Sequence, residues 1–302
     1  MNPRPVNPRN GIVLKILAAL CATLMLACVK GLDGAVPTGQ VVFFRSFVAL
    51  LPLLIWLAMQ GNILALVRTQ NFGGHLVRGF SGTGGMFFNY LALAYIPLAD
   101  ATALSYAAPL FTVFLAAVLL HEKVRIYRWT AVVVGFLGVL IMLSPHLEIG
   151  GDGLRSAAII GSVAALIAAL CSAISSVQIR HLNASEQPGA IVLYFSLMTT
   201  GIGLATIFLG WVMPTPVQLL LLIGCGVFGG MAQILVTLSL RHAHASLLAP
   251  FEYTTMVWSI LIGIVVLDQS PAPATIVGAI VVAAAGLFTI WRERALKRAA
   301  AR

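Results

Sequence analysis

The sequence predicts an all-α membrane protein, ten transmembrane helices arranged as two inverted five-helix repeats. Three observations carry that expectation. Sixty percent of the 302 residues are apolar and 9% are charged, against about 25% charged in a soluble domain, so lipid must be the solvent for most of the chain. Apolar runs recur at the ~20 residues needed to cross a ~30 Å hydrocarbon core. The chain also repeats itself: Gly84-Gly85-Met86 returns as Gly229-Gly230-Met231, and Gly138 as Gly286.

The first span, Gly11–Val29, follows the basic residues Arg4 and Arg9. With nine apolar spans after it, it reads as a retained helix rather than a cleaved leader. The second, Thr38–Met59, begins after the turn Val36-Pro37, and the third, His75–Tyr95, ends at Ile96-Pro97. Leu98–Leu120 and Trp129–Leu143 complete the first half, separated by the basic cluster Lys123, Arg125 and Arg128. A polar break, Ser144–Arg155, divides the chain.

The second half repeats the plan with Ala157–Val177, Gly189–Trp211, Val217–Leu240, Ala245–Leu267 and Ala274–Trp291. Its turns are marked by Pro214-Thr215-Pro216 and Ser270-Pro271-Ala272-Pro273. The expected organisation is therefore a first repeat at 1–143, a connecting loop at 144–155, a second repeat at 156–291 and a basic tail at 292–302. Five helices per half force the second half to run upside down, the arrangement of secondary transporters that rock around a midplane site.

Lys and Arg set the orientation. With the N-terminus in the cytoplasm of a bacterial-type inner membrane, fifteen fall at the inner face, Lys15 and Arg78 among them, and only Lys30 and Arg155 at the outer. The net charge of +9 is thus topological, and no basic stripe interleaved with aromatics suggests nucleic acid. Cys21, Cys28, Cys171 and Cys225 lie inside apolar spans without C-x-x-C spacing, which gives neither a metal site nor a disulfide framework. No cofactor is expected; the expected partners are a small-molecule substrate and the bilayer.

Charges inside spans cost at least ~2.5–3.5 kcal/mol each at the helix centre and mark function by default. Arg45 lies roughly 10 Å in from the outer end of its span and Glu252 a similar depth from the inner end of its own. A cavity reached by both would suit a zwitterion or a polar heterocycle, with Glu252 as substrate or proton-coupling carboxylate; an ion pair or a snorkelling arginine is the structural alternative. Tyr90, Tyr106, Tyr253 and Trp258 offer a flat face with a polar tip at membrane depth, although packing and interface belts use the same residues. Asn89 and Gln233 nearly coincide under the repeat and join the candidate site. Pro109 and Pro250 interrupt backbone hydrogen bonding inside spans and are candidate hinges.

Several stretches resemble the EamA-type families of the drug/metabolite transporter superfamily over nearly the whole chain. In the first half these are Ala99-Asp100-Ala101-Thr102, Pro109, Leu120-His121-Glu122-Lys123 and Gly135-Phe136-Leu137-Gly138. In the second, Ala249-Pro250-Phe251-Glu252-Tyr253-Thr254-Thr255-Met256-Val257-Trp258 and Gly278-Ala279 are similar to the subgroup of riboflavin and S-adenosylmethionine transporters, as is Val41-Val42-Phe43-Phe44-Arg45-Ser46. Asp268-Gln269 stands where that subgroup commonly has Gly-Glu.

The resemblance implies alternating access, with riboflavin uptake as the first expectation and uptake or export of an amino acid or S-adenosylmethionine as the alternative. A membrane-embedded enzyme is the competing class. It would call for H-E-x-x-H, G-x-S-x-G or clustered aspartates, and ATP-driven pumping for a Walker A sequence; none occurs in the chain.

Overall fold

A computed structural model describes residues 8–58, 69–119, 126–148, 152–182, 185–243 and 245–300. Among these, every regular element is helical: α1 (Pro8–Lys30), α2 (Thr38–Ala58), α3 (Phe72–Tyr95), α4 (Leu98–Ser105), α5 (Ala107–Leu119), α6 (Ile126–Glu148), α7 (Asp152–Leu182), α8 (Pro188–Ala205), α9 (Pro216–His242), α10 (Ala245–Leu248), α11 (Thr254–Leu267) and α12 (Pro273–Ala300). Short 3-10 segments cover Thr206–Leu209 and Ala249–Tyr253.

Eight spans among the described residues are long and apolar enough to cross a membrane, and Trp129–Ser144 is a shorter apolar helix. The helix Phe72–Tyr95 has the length but is not one of the eight; it carries His75, Arg78, Asn89 and a run of glycines. The side chains facing away from the bundle agree with a lipid surround: Phe208, Met213, Val265 and Ile280 are all more than half exposed.

Local chemistry sets many of the ends. Asn71 caps α3 by accepting from the Gly74 N–H at 2.9 Å. Thr215 and Gln218 form a capping box at the start of α9, with Pro216 at its first position. Asp268 closes α11 in the left-handed region at φ 52°.

Two spans expected as continuous helices are broken. Pro109 cannot donate to the Ser105 carbonyl four residues back, and α4 stops at Ser105 before α5 resumes at Ala107. Likewise Pro250 lies in the 3-10 segment between α10 and α11. The expected polar break at 144–155 is helical at both ends, since α6 runs to Glu148 and α7 starts at Asp152; residues 149–151 lie outside the described residues. The basic tail from Arg292 extends α12 to Ala300.

Helices pair in matched sets. α3 packs along α7 as α1 packs along α9, α5 against α7 as α11 against α1, and α6 against α12. Each set interchanges an element of the first half with its counterpart in the second. The repeated glycines do different work in the two halves. A Cβ on Gly85 would sit 3.1 Å from Ser172 Oγ on α7, whereas one on its counterpart Gly230 would sit 2.8 Å from Pro52 Cγ on α2. Gly138, matched in sequence to Gly286, instead meets Gly278 where α6 and α12 touch, and Gly286 makes room for the Tyr253 hydroxyl.

Candidate functional site

Three helix faces enclose a cavity of about 670 Å³. Lys15, Ala18, Ala19, Ala22 and Met25 line it from α1; Gly229, Ala232, Gln233 and Val236 from α9; Ser105, Ala108, Pro109 and Thr112 from the broken α4–α5 span. In each set the spacing is i, i+3, i+4, i+7, which is one face of a helix. The volume exists because that face carries Ala, Gly, Ser and Thr where a core face would carry Leu or Phe. Arg45, Ser176, Tyr106, Glu252 and Thr255 complete the wall.

The candidates read from the sequence divide cleanly. Arg45, Tyr106, Pro109, Gln233 and Glu252 line this cavity. Tyr253 lines an adjoining space of about 200 Å³ with Tyr106, Glu252 and Gly286. Asn89, Trp258 and Pro250 line neither; the Trp258 indole N–H is buried without a hydrogen-bond acceptor among the described residues. Tyr90 is buried, 4% exposed. Its hydroxyl points to Met25 Sδ at 3.9 Å and lies beside the Arg45 guanidinium and the Cys225 thiol.

One participant is new. Lys15, counted above as a topological charge at the inner face, stands about 10 Å along α1 and donates from Nζ to Glu252 Oε1 at 2.7 Å. The Lys15 side chain is 12% exposed and that of Glu252 60%, so the carboxylate keeps a free edge towards the cavity. Arg45 has no such partner: its Nε is buried without a hydrogen bond, and the ion pairs among the described residues are Lys15–Glu252 and His75–Glu186.

Across the cavity the two broken spans touch. The Tyr106 hydroxyl lies 2.7 Å from Thr255 Oγ1 and 3.4 Å from the Tyr253 carbonyl oxygen, and the Tyr106 and Tyr253 rings meet edge to face at 5.1 Å. Each Pro break is therefore tied to the other by a hydrogen bond and an aromatic contact.

Beyond Met25 the bundle is closed at the end where α1 finishes. Lys30 Nζ donates to the carbonyls of Leu93 at 2.7 Å and Ile96 at 3.1 Å, covering the exposed C-terminus of α3. The Gln40 side chain donates to the Val212 carbonyl at 2.9 Å and accepts from its N–H at 3.2 Å. Gln269 Oε1 accepts from the Leu98 N–H at 3.2 Å. Leu93, Ile96, Leu98 and Leu104 are fully buried behind these bonds.

At the other end, a buried carboxylate joins the two halves outside the cavity. Glu186, before α8, accepts from Thr69 Oγ1 and the Gln70 N–H, both at 2.7 Å, and from the Asn71 N–H at 3.0 Å. Its other oxygen is 3.9 Å from His75 Nε2. Burial pushes this carboxyl up, but the three hydrogen bonds and the nearby imidazole outweigh it and leave the carboxyl below its ordinary value.

Comparison with known proteins places these features in a group. The EamA-like transporter family matches residues 9–144 and again 159–291. The chain is 31% identical to the pseudopaline exporter CntI of Pseudomonas aeruginosa over 92% of this chain and 94% of that one. It is 29% identical to the riboflavin transporter of Vibrio cholerae, covering 97% of each, and 26% identical to the S-adenosylmethionine uptake transporter of Rickettsia prowazekii, covering 94% of each. A solved crystal structure at 20% identity superposes with a TM-score of 0.65 over 93% of this chain and 97% of that one, which speaks to the fold.

Proposed function

Because this chain belongs to the EamA-like transporter family, a multi-pass membrane protein that moves small metabolites, we propose that the cavity of about 670 Å³ is its transport site and that the protein works by alternating access without ATP. The carrying observation is the asymmetry of the bundle. Polar and small side chains open the interior from Lys15 to Met25, and hydrogen bonds and buried leucines shut it beyond. That is one half of an alternating-access cycle.

Ten crossings follow if α3 spans despite its polar content and if α4–α5 and α10–α11 each count as one broken span. An even number returns both termini to the same side. The excess of Lys and Arg puts that side in the cytoplasm of an inner membrane, so the cavity opens inward in this conformation. The two halves, 1–143 and 156–291, are the bodies that rock, and the drive is a gradient of substrate or of substrate and protons.

Riboflavin, the first expectation from the sequence, stands beside S-adenosylmethionine and pseudopaline as a candidate, since each gives its name to a relative of similar identity. The test is uptake and efflux of radiolabelled riboflavin and S-adenosylmethionine in cells lacking their own carriers, at two external pH values. Saturable flux competed by the unlabelled compound supports the reading. A membrane-inserted protein that moves none of a broader metabolite panel in either direction contradicts it.

A further inference from the structure

The charges around the cavity do not balance. Among the described residues Glu252 is its only acid, and it is already paired with Lys15 at 2.7 Å. Arg45 faces the cavity's deep side with no carboxylate among the described residues within ion-pair distance, and its Nε is buried and unbonded. A small recess behind it, lined among others by Phe195, Ser196 and Gln233, holds no acid among the described residues either.

Arg78 adds to the same sign. It lies over the Phe195 ring at 3.9 Å, its Nε is likewise buried and unbonded, and it is near enough to Arg45 for the two charges to repel. Two guanidinium groups without a counter-ion among the described residues are costly in a low-dielectric interior. The arrangement is stable in a working protein when something else supplies the anion, and the cavity is where it can enter.

Resting on the reading of this cavity as the transport site, we infer that the transported molecule carries a carboxylate or phosphate group that is bound by Arg45. The planar guanidinium fork matches either oxyanion through paired N–H donors. Gly229 makes the approach possible: its missing side chain leaves the space in which Arg45 Nε lies, 3.0 Å from where a Cβ would stand. The free edge of Glu252 and its Lys15 partner remain at the shallower side for the uncharged or cationic part of the same molecule.

The experiment is thermal unfolding of the purified full-length protein, titrated at constant ionic strength with matched pairs. These are amino acids against their amides, S-adenosylmethionine against its decarboxylated form, and riboflavin 5′-phosphate against riboflavin. The expected result is saturable stabilisation by the member that carries the carboxylate or phosphate and not by its partner without that group in at least one pair, with apparent affinity reduced about tenfold or more in Arg45→Gln. Which pair responds separates carboxylate from phosphate.

Should Arg45→Gln not fold, Gly229→Ala, whose methyl would press on both Arg45 Nε and Met25 Sδ, is expected to give the same loss by displacing the guanidinium. The inference is overturned by equal stabilisation within every responding pair, by a response unchanged in the variant, or by no response to any acid. Binding is read here without transport. Anion binding in a protein that moves nothing therefore overturns the proposed function alone, and transport of a neutral compound unaffected by Arg45→Gln overturns this inference alone.

Discussion

Glu252 and Lys15 form an ion pair at the cavity wall, and the two residues face different costs when separated. Lys15 is nearly enclosed, whereas the Glu252 side chain is mostly open to the cavity. Removing the carboxylate strands a lysine in an apolar surround; removing the lysine leaves a carboxylate that water can still reach. Glu252→Gln is therefore expected to lower transport about tenfold, the scale of one lost charge-assisted hydrogen bond. It is also expected to flatten the pH dependence of flux, while Lys15→Met is milder in transport. Flux through Glu252→Gln at wild-type rate with an unchanged pH profile removes Glu252 from the mechanism. A residue-by-residue reading of the sequence could reach Arg45 and Glu252 because each is a charge within an apolar run. Lys15 satisfies the same criterion, but so near the start of α1 it looked like one more inner-face cation.

Among the elements, the broken span α4–α5 and the segment joining α10 to α11 are where we expect movement to cost least, since Pro109 and Pro250 each withhold a backbone donor there. Pro109→Ala restores a donor to the Ser105 carbonyl and allows one continuous helix. The expected outcome is ligand binding kept within about threefold and turnover lowered, measured by comparing equilibrium binding with flux. Wild-type turnover excludes Pro109 as a hinge. The link made by Glu186 predicts stability rather than transport. Its carboxyl is held below the ordinary value, so its contribution is complete above the unfolded value of about 4.3 and disappears as pH falls through the lower folded one. Glu186→Gln should cost about 1–3 kcal/mol at neutral pH, seen as a fall of several degrees in the melting temperature. It should also remove the part of the acid destabilisation that wild type shows below about pH 4. Equal melting curves for the two proteins at pH 7 would discount the link.

For the whole molecule, the open and closed ends make opposite demands on access. In a variant stripped of Cys21, Cys28, Cys171 and Cys225, Ser176→Cys at the cavity wall should react with a membrane-impermeant maleimide in inside-out vesicles. Val36→Cys, 4% exposed at the closed end, should resist labelling from either side. Lys30→Met removes two hydrogen bonds that shut that end and should raise labelling at position 36 at least severalfold by favouring the alternate conformation. Labelling of Ser176→Cys in right-side-out cells and not in inverted vesicles would reverse the proposed orientation.

Composition and periodicity by themselves determined that this chain lives in lipid, that it is helical and where most helices begin and end, because each of those follows from neighbours in sequence and from the ~1.5 Å rise of a helix. The family was legible only through the resemblance of particular stretches such as Ala249–Trp258. The stripes of small residues on α1 and α9 were also present in the sequence, though packing and cavity lining leave the same pattern there. Only the tertiary structure decided which side chains meet. Lys15 finds Glu252 across 237 residues, Gly286 yields to Tyr253 rather than mirroring Gly138, and Asn89 lies away from the cavity its repeat partner Gln233 lines. It also showed Arg45 left without a counter-ion among the described residues. Whether a buried charge has a partner depends on every helix packed around it, and no spacing within one helix carries that information.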